Sequence, residues 1–278
     1  MPSLYTLYNR KLNVRNALVV GISQSGATID VVEVLNQARQ SGALTLAITN
    51  EPNSAITKTA EDTILCHAGK EKSIAATKTY TTQLTAMYLL AGTIAKDESL
   101  IHGLQLVPLR ITELFALEPQ IRTSVERYRY MDKCIVLGRG LNYPTALESA
   151  LKLKETCYVP AEPYSSADFL HGPVAMVSPG LPVMVFAPND PTLPGQKEMV
   201  AKLMSREVEL IAISSDKQIL KPAKLALPIN PKINFLFAPL TYIIIGQLFA
   251  AYLSICKGYN PDKPRGLSKV TKISGTGM

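Results

Sequence analysis

Apolar and polar positions along this chain follow two periods that take turns. Ala17-Leu18-Val19-Val20-Gly21-Ile22 is a short apolar run rich in β-branched residues and ends at a Ser-Gly turn. That is the pattern of a strand buried on both faces of a parallel sheet. Thr28 to Gln40 then places Ile29, Val32, Leu35 and Ala38 at helical spacing. Leu44 to Ile48 predicts a second strand, closed by Asn50, Pro52 and Asn53. A short helix around Ile56 to Ala60, a third strand at Thr63 to Cys66 and a long helix over Thr77 to Ala95 follow. Ser99 to Met131 reads as mainly helical. A second series opens with a strand at Cys134 to Leu137, the loop Gly138-Arg139-Gly140 and a helix over Pro144 to Tyr158. Strands at Pro182 to Ala187 and Glu209 to Ser214 flank a helix near Lys197 to Ser205. Met1 to Asn16 shows no strand or helix pattern.

Strands alternating with helices predict an α/β fold, and two such series predict two domains, each a parallel sheet flanked by helices. The expected boundaries are a first domain over 1–98, a helical connector over 99–131 and a second domain with its tail over 132–278. One stretch interrupts this reading. Phe235 to Cys256 carries no charge and is long enough to cross a bilayer. Pro239, Thr241, Tyr242, Gln247 and Ser254 punctuate it, and no flanking charge asymmetry supports a span. A helix apolar all round is then expected in the core or at a subunit interface, with no membrane partner.

Composition narrows the function classes. Hydrophobic residues make up 47% and charged residues 18%, which marks a globular chain. The formal charge of +7 suits an anionic partner. The basic residues are scattered, no nucleic-acid motif accompanies them, and a small anionic substrate is expected rather than nucleic acid. Cys66, Cys134, Cys157 and Cys256 are far apart, as free thiols in a reducing cytoplasm would be. His67, His102 and His171 have no metal-ligand spacing, so neither metal nor cofactor is expected.

Candidate chemistry falls in four places. Ser23-Gln24-Ser25-Gly26-Ala27-Thr28 lies between the first strand and its helix. Hydroxyls and backbone N–H groups there meet the positive end of the helix, which suits a phosphate or merely makes an ordinary N-cap. Glu148, Lys152 and Glu155 share one helix face at i, i+4 and i+7. That spacing fits a surface ion-pair ladder as well as a proton-shuttling carboxylate beside a cation. His171 sits in the turn Phe169-Leu170-His171-Gly172-Pro173, either as a structural residue or as an acid/base near neutral pH. Lys269 lies in the tail Pro264 to Thr271 and would ordinarily be a mobile terminal lysine.

In order along the chain, Ile22-Ser23-Gln24-Ser25-Gly26, Ala68-Gly69-Lys70-Glu71 through Ile74-Ala75-Ala76-Thr77-Lys78, Leu147-Glu148 through Lys154-Glu155, His171-Gly172-Pro173 and the tail near Lys269 resemble the sugar isomerase (SIS) domain family. The resemblance runs from about Leu4 to Thr271. It is nearest to the isomerase half of glucosamine-6-phosphate synthases and to SIS-type glucosamine-6-phosphate deaminases. It implies that Ser23, Gln24, Ser25 and Thr28 hold the phosphate and that Ile74 and Thr77 line the sugar. It further implies that Glu155 moves a proton between C1 and C2 with Glu148 and Lys152 in support. His171, supplied by a neighbouring subunit of a homodimer, would open the ring, and Lys269 would meet the open-chain sugar. An anchored phosphate would bring C1 and C2 to the acid/base groups in productive geometry. The family's first strand is not recognised, so the first domain is expected to be incomplete at its N-terminus. Met1-Pro2-Ser3 is not expected to open a glutaminase domain, and the segments Ala161 to Pro173 and Asn260 to Pro264 look more like the deaminase branch. The expected activity is deamination of glucosamine 6-phosphate to fructose 6-phosphate and ammonia. The alternatives are an isomerase part of a synthase without its glutaminase, and a regulatory module that only binds the sugar phosphate.

Overall fold

A computed structural model describes residues 2–8, 10, 13–229, 232 and 234–268. It forms two compact units, one reaching Glu98 and including the tail from Arg265, the other spanning Ser99–Pro264. The first unit runs α1 (Ser3–Thr6), β1 (Leu18–Ser23), α2 (Ile29–Gln40), β2 (Leu44–Thr49), α3 (Ala55–Thr59), β3 (Asp62–Leu65) and α4 (Lys78–Ala95). The order is β1-β2-β3, all parallel, with Leu18 opposite Leu44 and Leu46 opposite Asp62. Leu35, Ala47, Ile56 and Ala60 form its buried core. Gly21 allows α2 to lie close on β1, because a Cβ there would come within 2.5 Å of Leu35. The short α1, which buries Tyr5, was not anticipated from the sequence: four residues carry too little periodicity to read.

The second unit runs α5 (Glu98–Leu104), α6 (Val107–Leu114), α7 (Glu118–Ser124), β4 (Cys134–Gly138), α8 (Tyr143–Cys157), β5 (Ala161–Ser165), α9 (Ser166–Phe169), β6 (Pro182–Ala187), α10 (Leu193–Met204), β7 (Glu209–Ser214), α11 (Lys217–Leu220), β8 (Leu225–Pro228) and α12 (Ala238–Cys256). Five parallel strands are ordered β5-β4-β6-β7-β8. Alternate residues feed two cores. Val136, Met184, Phe186, Ile211 and Ile213 pack with α8 and α12. Ile135, Leu137, Val183, Val185, Leu210 and Ala212 pack with α10 and α11. This two-sided burial is why the central strands read as continuous apolar runs. The edge strands β5 and β8 were not anticipated, since Pro163 and Pro228 break their pattern and proline is confined to such edges.

The segment Ser99 to Met131 is not a separate connector but part of the second unit. Its Ile121, Val125, Tyr128 and Met131 enter the core, and the Tyr128 ring lies 5.5 Å from that of Phe249. The uncharged Phe235 to Cys256 stretch is a 3-10 turn followed by α12, buried against α8. Ser254 Oγ donates to the Thr156 carbonyl at 2.8 Å, and the Cys157 thiol donates to that of Ala250 at 3.1 Å. Most of the helix is covered, which accounts for much of its apolar composition, while Ile255 near its end stays exposed.

Candidate active site

In the first unit, β1 ends at Ser23 and the chain turns through Gly26, whose φ of +59° belongs to the left-handed region. A Cβ on Gly26 would stand 2.1 Å from Ser54 Oγ, so glycine is required for both conformation and space. Ser23 Oγ accepts from the Gly26 N–H at 3.1 Å and shares a hydrogen bond with Thr28 Oγ1 at 3.0 Å. Ser25 Oγ accepts from the Ala27 N–H at 3.3 Å. The Ile56 N–H fastens the Gly26 carbonyl at 2.9 Å, and Thr49 Oγ1 donates to the Gln24 carbonyl. Ser23, Ser25 and Thr28 are thus brought together in one preformed turn, with the half-buried Gln24 between them. Thr28 makes no side-chain cap to α2, so the helix's positive end stays available to an anion.

A second loop of the same unit carries Ile74 and Thr77, both half-buried. Two residues that sequence reasoning missed hold it. The Asn50 amide accepts from the Ala68 N–H and donates to the Gly69 carbonyl, each at 2.9 Å. The buried Glu71 carboxylate accepts from the Thr79 N–H at 3.2 Å and its hydroxyl at 2.5 Å, capping the start of α4. Lys78 Nζ donates to the Lys70 carbonyl at 2.7 Å and closes the loop. A cap contributed from eight residues away lies outside the local spacing that marks caps in a sequence.

In the second unit, α8 presents Glu148, Lys152 and Glu155 as one cluster. Lys152 Nζ stands 2.5 Å from Glu155 and 3.5 Å from Glu148. Their side chains keep 5% (Lys152), 11% (Glu148) and 24% (Glu155) of their exposure, which excludes the solvated ladder that the spacing alone allowed. Burial pushes the Glu148 carboxyl up to about 7, with the repulsion of Glu155 adding to it and Lys152 opposing it. A carboxyl that exchanges its proton near neutrality beside a lysine-held carboxylate is equipped for acid/base work. The sequence ranked Glu148 as support, since burial has no local signature.

His171 is exposed in the turn after α9. Its backbone N–H donates to the Asp168 carbonyl at 3.1 Å, and Gly172 follows at a φ of +156°. Lys269 lies outside the described residues. Among the described residues no three His, Cys, Asp or Glu side chains gather as a metal site would.

Comparisons with known proteins agree with this architecture. The SIS domain model matches residues 8–92 and 129–257. The chain is 36% identical over 262 residues to glutamine–fructose-6-phosphate aminotransferase (isomerizing) of Pyrococcus horikoshii, covering 92% of this chain and 44% of that protein. Against the same-named protein of Escherichia coli K12 it is 32% identical over 276 residues, 96% of this chain and 45% of that one. The chain therefore spans less than half the length of these curated relatives. Among solved structures, the C-terminal domain of glucosamine-fructose-6-phosphate aminotransferase from Francisella tularensis superposes with a TM-score of 0.85 at 31% identity, over 95% of this chain and 77% of that one. A glucosamine-6-phosphate deaminase from Thermotoga maritima shares the fold at a TM-score of 0.76 and 22% identity, over 95% of this chain and 78% of that one.

Proposed function

The chain belongs to the SIS domain family, and on that premise we propose that it interconverts glucosamine 6-phosphate and water with fructose 6-phosphate and ammonia. The observation that carries the proposal is the buried Glu148–Lys152–Glu155 cluster. A module that only sensed a sugar phosphate would need the anion loop and not a carboxyl tuned to about 7. The phosphate falls to Ser23, Gln24, Ser25 and Thr28, and the sugar to Ile74 and Thr77. Glu155 moves the proton between C1 and C2, with Glu148 and Lys152 beside it in support. His171 opens the ring, acting from the second subunit of a homodimer, and Lys269 meets the open-chain carbonyl. The enzyme works in the cytoplasm, where four reduced thiols are at home.

Two directions of the reaction compete. Deamination was the sequence-based expectation. The relatives named as aminotransferases favour the reverse, in which the chain acts as the isomerase part of a synthase. NMR of the purified chain with glucosamine 6-phosphate, and separately with fructose 6-phosphate and ammonium, reads both. Glu155→Gln should abolish turnover while leaving substrate binding within about threefold, because the anion loop is untouched. Equal turnover in that variant removes Glu155 from the mechanism. Binding without turnover in the parent chain in both directions refutes the enzyme and supports a regulatory module. Light scattering tests the dimer, and a monodisperse monomer counts against it.

A further inference from the structure

We propose, on the reading that His171 opens the sugar ring, that α10 is the mount which aims its imidazole, with Ser166, Gln196 and Arg206 as positioning residues. The His171 side chain is exposed and makes no hydrogen bond or ion pair among the described residues. It is therefore placed by its turn and not by partners of its own. A shift of about 1 Å in a reacting group can cost about a hundredfold in rate, so what holds the turn matters to the chemistry.

The turn is fastened to α10 on both sides of His171. On the entry side, β5 ends at Ser165 and Ser166 opens α9. The buried Ser166 Oγ donates to Gln196 Oε1 at 2.6 Å, and Gln196 Nε2 donates to the Phe186 carbonyl of β6 at 3.1 Å. Gln196 is fully buried in α10, and both ends of its amide are used in this bridge. The edge strand β5 is thus tied through α10 to the centre of the sheet. Phe169, three residues after Ser166, is buried in the same core as Leu193, Met199, Val200 and Leu203 of α10.

On the exit side, a 3-10 turn over Pro173–Met176 follows Gly172. Arg206, just past the end of α10, donates from Nη1 to the Val174 carbonyl at 2.8 Å. Leu170 and Val174, which flank His171, pack against that same core. A satisfied buried polar bridge gains little stability over an apolar pair of the same shape, but it fixes one geometry. That is what an imidazole without partners of its own requires.

The test uses the full chain with ammonium and two ketose phosphates. Fructose 6-phosphate enters as a ring. 5-Deoxyfructose 6-phosphate lacks the hydroxyl that closes the ring and enters open. Arg206→Met, and the double variant Ser166→Ala with Gln196→Met, should each lower kcat on fructose 6-phosphate by about tenfold or more. Both should leave kcat on the open-chain probe within about twofold, and KM within about threefold, because the phosphate loop is untouched. Arg206→Lys keeps a donor and should regain part of the loss. Arg206 is exposed, so its variant reports even where the double variant does not fold. An equal loss on both substrates overturns the proposal, because it reports a general disturbance, and so does an unchanged kcat on both. Should the parent turn over neither substrate, the proposed activity has failed, and amide hydrogen exchange decides on the mount. The His171 N–H donates to the Asp168 carbonyl at 3.1 Å and the Ala175 N–H to that of Gly172 at 2.9 Å. Both should exchange about tenfold faster in folded Arg206→Met, with β6 unchanged. Unchanged exchange at these two amides overturns the mount.

Discussion

Replacing Glu148 by glutamine isolates the cost of burying its carboxyl beside Glu155. In the folded protein this group titrates at about 7, against 4.5 for the free side chain, chiefly through burial. Between those values the folded protein holds a proton that the unfolded chain has released. Stability therefore falls as pH rises through that window. The difference corresponds to about 3 kcal/mol by pH 8. The side chain keeps only 11% of its exposure, so solvent screening removes little of it. At pH 5 the parent's carboxyl is neutral, and glutamine of the same shape should change stability by less than about 1 kcal/mol. At pH 8 Glu148→Gln should be more stable than the parent by about 2–3 kcal/mol, with Lys152 still paired to Glu155 at 2.5 Å. Urea midpoints of both proteins at pH 5 and pH 8 read the difference, provided the slopes agree. A difference that stays the same at both pH values would refute the reasoning. It would mean that Lys152 keeps Glu148 ionised throughout.

Gly26→Ala should cost about 2 kcal/mol or more, since it combines a left-handed φ with a clash against Ser54, and it should abolish phosphate binding at the first loop. Thermal melts and phosphate titration check it. Gly246→Ala should destabilise by about 1–3 kcal/mol, because its Cβ would stand 2.2 Å from Ser149 Oγ where α12 meets α8. A double variant with Ser149→Gly should recover part of that loss, and no recovery would count against the contact as the cause. Burial raises the thiols of Cys134 and Cys157, to about 12 and about 11. A thiol reagent at pH 8 should therefore leave both unmodified until the chain unfolds, while the partly exposed Cys66 and Cys256 react. Rapid labelling of all four in the native protein would contradict this burial.

Strands such as Pro182–Ala187 and Glu209–Ser214 were legible to the residue, because a strand buried on both faces leaves an unbroken apolar run. The helix Ile29–Gln40 was legible by its period. The edge strands Ala161–Ser165 and Leu225–Pro228 were not, since half-exposed strands with proline look like loops. The run Ser99 to Met131 read as a connector for a similar reason. Its short helices show their period, but nothing local reveals that Tyr128 reaches Phe249 across more than a hundred residues.

The candidate site divides along the same line. Local order along the chain was enough for the α/β class, the two βα series, the hydroxyl-rich loop after the first strand and the shared face of Glu148, Lys152 and Glu155, because each depends on spacing within one element or turn. Tertiary structure alone decided whether that charged face is solvated or buried, and so whether Glu148 titrates near neutrality. It alone placed Glu71 on the start of α4, Asn50 across the Ala68–Gly69 backbone and Arg139 on the first turn of α10. Periodicity reports which residues share a face. Burial, electrostatic cost and contact across distant segments depend on what packs against that face, and the local pattern holds no record of it.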